Sequence, residues 1–137
     1  MARVVTKYEE WPPATQGESR RLIMAHTFGR HLMENVREHA LSRIPEEASL
    51  EARALAEQAV TDTLYGFVML LDGVFRNWID KEYFVDYRLI GRIFEQSSDK
   101  DEPVETFDVE ESGDGLCIGF HMWMEGDFGD AVREVDS

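Results

Sequence analysis

Two stretches of helical periodicity followed by three runs of strand-like alternation predict an α+β fold, with two long antiparallel helices packed on a small, mostly antiparallel sheet. Three observations carry that expectation. Apolar residues recur at three- and four-residue spacing from Leu22 to Ala40. A second long stretch ends in the apolar block Leu64–Leu71. Leu116, Ile118, Phe120, Met122 and Met124 then alternate strictly with other residues, the period of a strand with one buried face. A chain of 137 residues with 43% hydrophobic content can bury a core unaided, so a single domain over residues 1–137 is expected.

In chain order, Arg3 to Tyr8 is β-branched and aromatic enough for a short edge strand. Trp11-Pro12-Pro13 interrupts regular structure, since proline donates no backbone hydrogen bond. Residues 1–18 are therefore expected to be largely extended. Thr15 and Glu18 have capping-box spacing ahead of the first helix. That helix carries Leu22, Ala25, Gly29, Leu32, Met33, Val36 and Ala40 on one stripe, where Gly29 allows close approach of another helix, and it ends before Pro45. A second helix is predicted from Glu46 to Leu71, with Leu64–Leu71 as the buried centre and Gly73 as a left-handed stop.

Residues 74–82 hold Phe75 and Trp78 but sustain no period. Tyr83–Phe94, Val104–Val109 and Leu116–Met124 are read as three strands of a C-terminal meander, joined by short polar turns. Residues 131–137 are expected to fray.

Charge is distributed very unevenly. Residues 1–45 carry a net +2, residues 46–95 a net −5 and residues 96–137 a net −11, within a total of −14. Such a field repels nucleic acid and anionic membrane and attracts basic partners. The longest apolar run, Leu64–Leu71, falls short of the ~20 residues that span a bilayer. Cys117 is the single cysteine, so no intrachain disulfide forms; with no apolar leader at the N-terminus, a cytoplasmic setting is expected.

No catalytic signature is present. Asp99-x-Asp101 and Asp108-x-Glu110 imitate parts of a calcium loop, but each lacks either the glycine or the twelfth-position glutamate. Asp127-Phe-Gly129 stands alone, without the other kinase elements. In the first helix, His26 and His31 point ~140° apart, so they do not converge on a metal. His31, Glu34 and Glu38 share a face but read as a solvated one. Asp62 and Asp72 are the acids expected to be half-buried, as helix caps or ion-pair partners.

The block from Gly113 to Asp130 is the densest in unusual residues. On a strand, Cys117, Gly119, His121 and Trp123 would face away from the core. A partner-binding surface is therefore expected from His121, Trp123, Phe128, Asp127, Glu125, Glu110, Glu111 and Asp114, acidic charge surrounding aromatic anchors. This character is similar to that of small acidic inhibitor or immunity proteins that neutralise basic toxins and nucleases, although no motif is shared. The reading is a non-enzymatic binder of a basic protein, with no metal and no cofactor. A homodimer through Phe75, Trp78 and the apolar helix is a further option. The rival is a small metal-assisted enzyme using His121, Glu125 and Asp127 with His26 or His31.

Overall fold

The computed structural model describes the backbone of residues 3–5, 7–13, 17–97, 101–109, 115–129 and 132–134, and the side chains of 7–13, 20–97, 101–109 and 115–129. The period of residues 22–40 is realised as one run of helical backbone: α1 (Gly17–His31) passes through a π-helical stretch (Leu32–Arg37) into α2 (Glu38–Ser42). Thr15 of the expected capping box lies outside the described residues. The chain then turns at Pro45, whose carbonyl accepts the Ala48 N–H at 3.1 Å. That turn delays α3 (Leu50–Leu71) beyond Glu46, and Ser49 caps it by accepting the Ala52 N–H at 3.0 Å. The reversal brings Arg37 Nε to the Thr61 hydroxyl at 3.3 Å. Gly73, at φ +71°, stops α3 as expected.

The strands are short and paired two by two. β2 (Asn77–Trp78) pairs antiparallel with β3 (Phe84–Val85), and β4 (Ile90–Ile93) with β5 (Glu105–Asp108). β1 (Arg3–Val5) pairs antiparallel with β6 (Val132–Glu134). The molecule is thus a mixture of helix and sheet, but the three-stranded meander does not form. Tyr83–Phe94 is split because Asp80 accepts the N–H groups of Glu82 and Tyr83, at 2.8 and 3.0 Å, and folds β3 back on β2. Residues 132–134, expected within a frayed tail, instead satisfy the edge that β1 would leave open.

The largest correction concerns Leu116–Met124, which is a helix, α4, and not a strand. The alternating set 116, 118, 120, 122, 124 does not share a face in it. Leu116, Gly119, Phe120 and Trp123 are buried, while Ile118 and Met124 are exposed. α4 lies against both α1 and α3, and there Leu116, Phe120 and Trp123 join Met24, Ala25, Val68 and Leu71 in one core. Phe107 and Val109 close that core from the β5 side. Val68 and Leu116 are fully buried, each contributing about 1.5–3 kcal/mol by transfer from water. The Leu64–Leu71 block is buried on one side only, through Val68 and Leu71; Phe67 is half-exposed, and Asp62 is exposed instead of half-buried.

Candidate functional site

Gly115 enters α4 at φ +90° and has no side chain with which to cap it. The cap comes from the end of α3. Asp72 accepts the Leu116 N–H on Oδ1 at 2.9 Å and the Cys117 N–H on Oδ2 at 2.7 Å. A Cβ at Gly115 would stand 3.1 Å from that carboxylate. Desolvation first, and then the Asp72 carboxylate beside it, push the Cys117 thiol up to about 11. The thiol is therefore protonated at neutral pH and is not poised as a nucleophile.

Trp123, expected at the surface, is a core residue. Its indole rests where Gly29 of α1 has no side chain: a Cβ there would come within 2.1 Å of the ring. The close approach expected at Gly29 is thus made by α4. The indole N–H donates to His26 Nδ1 at 3.0 Å. His26 is buried with it, and burial holds the imidazole below its ordinary value against a smaller opposing pull from Asp127.

The other expected site residues disperse. His121 is exposed and lies 5.2 Å, centroid to centroid, from the Tyr65 ring. Glu125 and Asp127 are exposed, and Asp127 accepts the Gly129 N–H at 3.0 Å. Phe128 is half-buried against the core. Glu110, Glu111 and Asp114 lie outside the described residues. His121 and Trp123, two positions apart on a helix, point ~200° apart and cannot form one surface. Among the described residues, no three His, Cys, Asp or Glu side chains are placed to hold a metal ion.

Two other features have the character of sites. The first is the β2–β3 hairpin. Trp78 and Phe84 are cross-strand partners with ring centroids 5.8 Å apart, and both are at least half exposed. The Arg76 guanidinium sits over both rings, 4.6 Å from the Phe84 centroid and 5.7 Å from that of Trp78. Phe75, Ile79, Tyr83 and Tyr87 extend the exposed apolar surface, Ile79 to 67% and Tyr83 to 64%. Part of the sequence signal was present in residues 74–82, where Phe75 and Trp78 without a sustained period have no face along which to be buried.

The second is a cleft of about 430 Å³ between the N-terminal segment, α1 and β4. One wall is Tyr8 and Trp11, held in place by Arg20. That guanidinium lies 5.0 and 5.6 Å from their ring centroids, donates to the Pro12 carbonyl at 2.7 Å, and is ion-paired with Glu105. Tyr8 also donates its hydroxyl to Glu105 at 2.9 Å. The Arg20 contact holds the Glu105 carboxyl below the usual range. Met24 and Phe28 form the floor; Gly91 and Ile93 form the opposite wall. In the sequence, Tyr8 and Trp11 read only as a strand end and a stop, since nothing local points to Arg20 as their clamp.

No helix among the described residues is long and apolar enough to cross a membrane. Comparison with protein-family models, with curated proteins and with solved structures finds no match for this chain.

Proposed function

We propose that this chain is a non-enzymatic protein-binding module, in which the aromatic β2–β3 hairpin anchors a basic partner and the acidic C-terminal third steers it in. The exposed Trp78–Phe84 pair under Arg76 is the observation that carries the reading. Tryptophan, tyrosine and arginine dominate binding hot spots, and here exposed Phe75, Trp78, Ile79, Tyr83 and Phe84 fall within ten residues of one another. The steering charge of this reading is the acidic C-terminal third. Asp86 approaches Gly73 at the hairpin base, and Asp72 binds the start of α4. The chain entering α4 carries Glu110, Glu111 and Asp114, and Glu125 and Asp127 are exposed at its far end. Long-range attraction of this kind accelerates encounter, while the aromatic contacts slow dissociation. A cytoplasmic setting, with Cys117 reduced, belongs to the same proposal.

The metal-assisted alternative has no supporting geometry among the described residues: His121, Glu125 and Asp127 are not assembled into a ligand set. The test is capture from a lysate of the source cells at low salt, followed by elution along a salt gradient. One basic protein in stoichiometric amount, released late, is the expected outcome. A mixture of basic proteins released together at modest salt would contradict the proposal. So would retention of a second copy of the chain alone, which would make the hairpin a homodimer face.

A further inference from the structure

The cleft between the N-terminal segment, α1 and β4 follows the strand: every residue from Leu89 to Ile93 borders it. Side chains alternate along β4. Gly91 and Ile93 are turned inward, and a Cβ on Gly91 would meet Met24 of α1 at 3.4 Å. Ile90 and Arg92 carry their side chains on the exposed face, with the Arg92 guanidinium 5.3 Å from the Phe94 ring centroid. What these two residues bring to the cleft is therefore main chain.

The pairing with β5 determines where that main chain points. Ile90 stands opposite Asp108, Gly91 opposite Phe107 and Arg92 opposite Thr106. One step before them, the Val109 N–H donates to the Leu89 carbonyl at 2.9 Å, so Leu89 and Val109 form a hydrogen-bonded pair. In an antiparallel ladder such pairs alternate with pairs whose N–H and C=O groups point away from the partner strand. Gly91 and Ile93 therefore bond to β5, while Ile90 and Arg92 turn their N–H and C=O groups out from its free edge. Among the described residues, β4 has no second neighbouring strand, and no backbone group bonds to those four.

Two donors and two acceptors repeating at a two-residue step, ~6.8 Å, match the main chain of another extended segment better than any compact small molecule. Apolar cover for alternate side chains of that segment stands beside the edge, in Trp11, Met24, Phe28 and Ile93. The Arg20 guanidinium, 5.6 Å from the Trp11 ring centroid, fixes that wall in advance, so little ordering is needed on binding. We infer that the free edge of β4 takes up an extended peptide segment of a partner protein as a third strand, its apolar or aromatic side chains at alternate positions entering the cleft. The inference uses none of the hairpin residues and stands or falls separately from the hairpin proposal.

The probe is the acetylated and amidated peptide Lys-Phe-Thr-Phe-Thr-Phe-Lys, titrated into the labelled protein and followed by amide NMR. Saturable one-to-one binding is expected, protecting the Ile90 and Arg92 amides from solvent exchange, shifting Thr27 and Phe28, and leaving Trp78 and Phe84 unmoved. Methylating the backbone nitrogens of the threonines, or those of the phenylalanines, blocks one edge of the peptide and keeps its charge and side chains. One of these two peptides should bind about tenfold or more weakly, and the other nearly as well as the parent. On the protein, Arg92→Ala keeps the N–H and should bind like the wild type. Arg92→Pro removes an N–H that β5 does not use, which an edge strand tolerates, and should weaken binding about tenfold. The methylated peptides test the wild type directly and need no variant to fold. Absence of saturable binding, like behaviour of the two methylated peptides, equal binding by Arg92→Ala and Arg92→Pro, or shifts confined to the hairpin would each overturn the inference. So would protection of the Ile90 and Arg92 amides in the free protein that rises with its concentration, since the edge would then join two copies of this chain.

Discussion

Protonation of His26 would set two N–H hydrogens against each other. An indole N–H only donates, so Nδ1 of His26 must offer a lone pair to Trp123, which imidazolium cannot do. Burial, the larger cause, and this bond both favour the neutral ring in the folded state. The folded value therefore lies below the ordinary 6.5, despite the opposing Asp127 charge. As the pH falls, the unfolded chain binds the proton first. The stability due to neutral His26 is complete above about 6.5 and is lost as the pH drops through the lowered folded value. His31, lowered by desolvation and then by Arg30, acts in the same direction. Urea midpoints should fall between pH 7.5 and 5.5. His26→Gln, which still accepts from the indole but does not titrate, should shrink that fall to the part owed to His31. Equal midpoints in the wild type would contradict the assignment. Trp123→Phe leaves buried Nδ1 without its donor and should cost about 1–3 kcal/mol in the same assay at pH 7.5. The thiol of Cys117 gives a separate check: thiolate absorbance on raising the pH should rise with a midpoint near 11, and nearer the ordinary 9.0 in Asp72→Asn.

α4 depends on a carboxylate from another element. Removing it with Asp72→Ala should cost about 1–2 kcal/mol and raise amide exchange at Leu116 and Cys117 before that of α3. Unchanged exchange at those two amides would show that α4 does not need the cap. Gly29→Ala tests the opposite face of α4. Its methyl would strike the Trp123 ring, and overpacking of this kind typically costs 1–3 kcal/mol. These two residues also explain what could be read from the sequence and what could not. α1 and α3 were legible because their apolar stripes run through several turns, and Gly73 marks an end that needs only local geometry. The nine residues of α4 satisfy both periods at once: Leu116, Phe120 and Trp123 share a helical face, and 116, 118, 120, 122 and 124 share a strand face. What decides between them is Asp72, 44 residues away, together with the space above Gly29. No window along the chain contains that information. The expected site failed with the element that carried it, since rotating from strand to helix turned Trp123 inward and left His121 outside.

For the whole molecule, the charge asymmetry was legible, but the exposed aromatic pair does not lie in the acidic block. A net −14 concentrated toward the C-terminus sets the sign of any partner, but sign alone gives no address. The proposed address rests on burial: Trp123 belongs to the core, whereas Trp78 and Phe84 stand in solvent with Arg76 across them. Neutralising Glu125 and Asp127 together should therefore slow association and flatten its dependence on salt, with little effect on dissociation. Truncating the hairpin rings should do the reverse. Both are exposed, so Trp78→Ser with Phe84→Ser leaves the core intact and should shift the urea midpoint little. The most direct measurement is quantitative mass spectrometry of proteins retained from source-cell lysate by the wild type and by this double variant, side by side. A single basic protein held stoichiometrically by the wild type and lost from the variant is the predicted result. Equal retention by both, or no stoichiometric protein on either, would contradict the account.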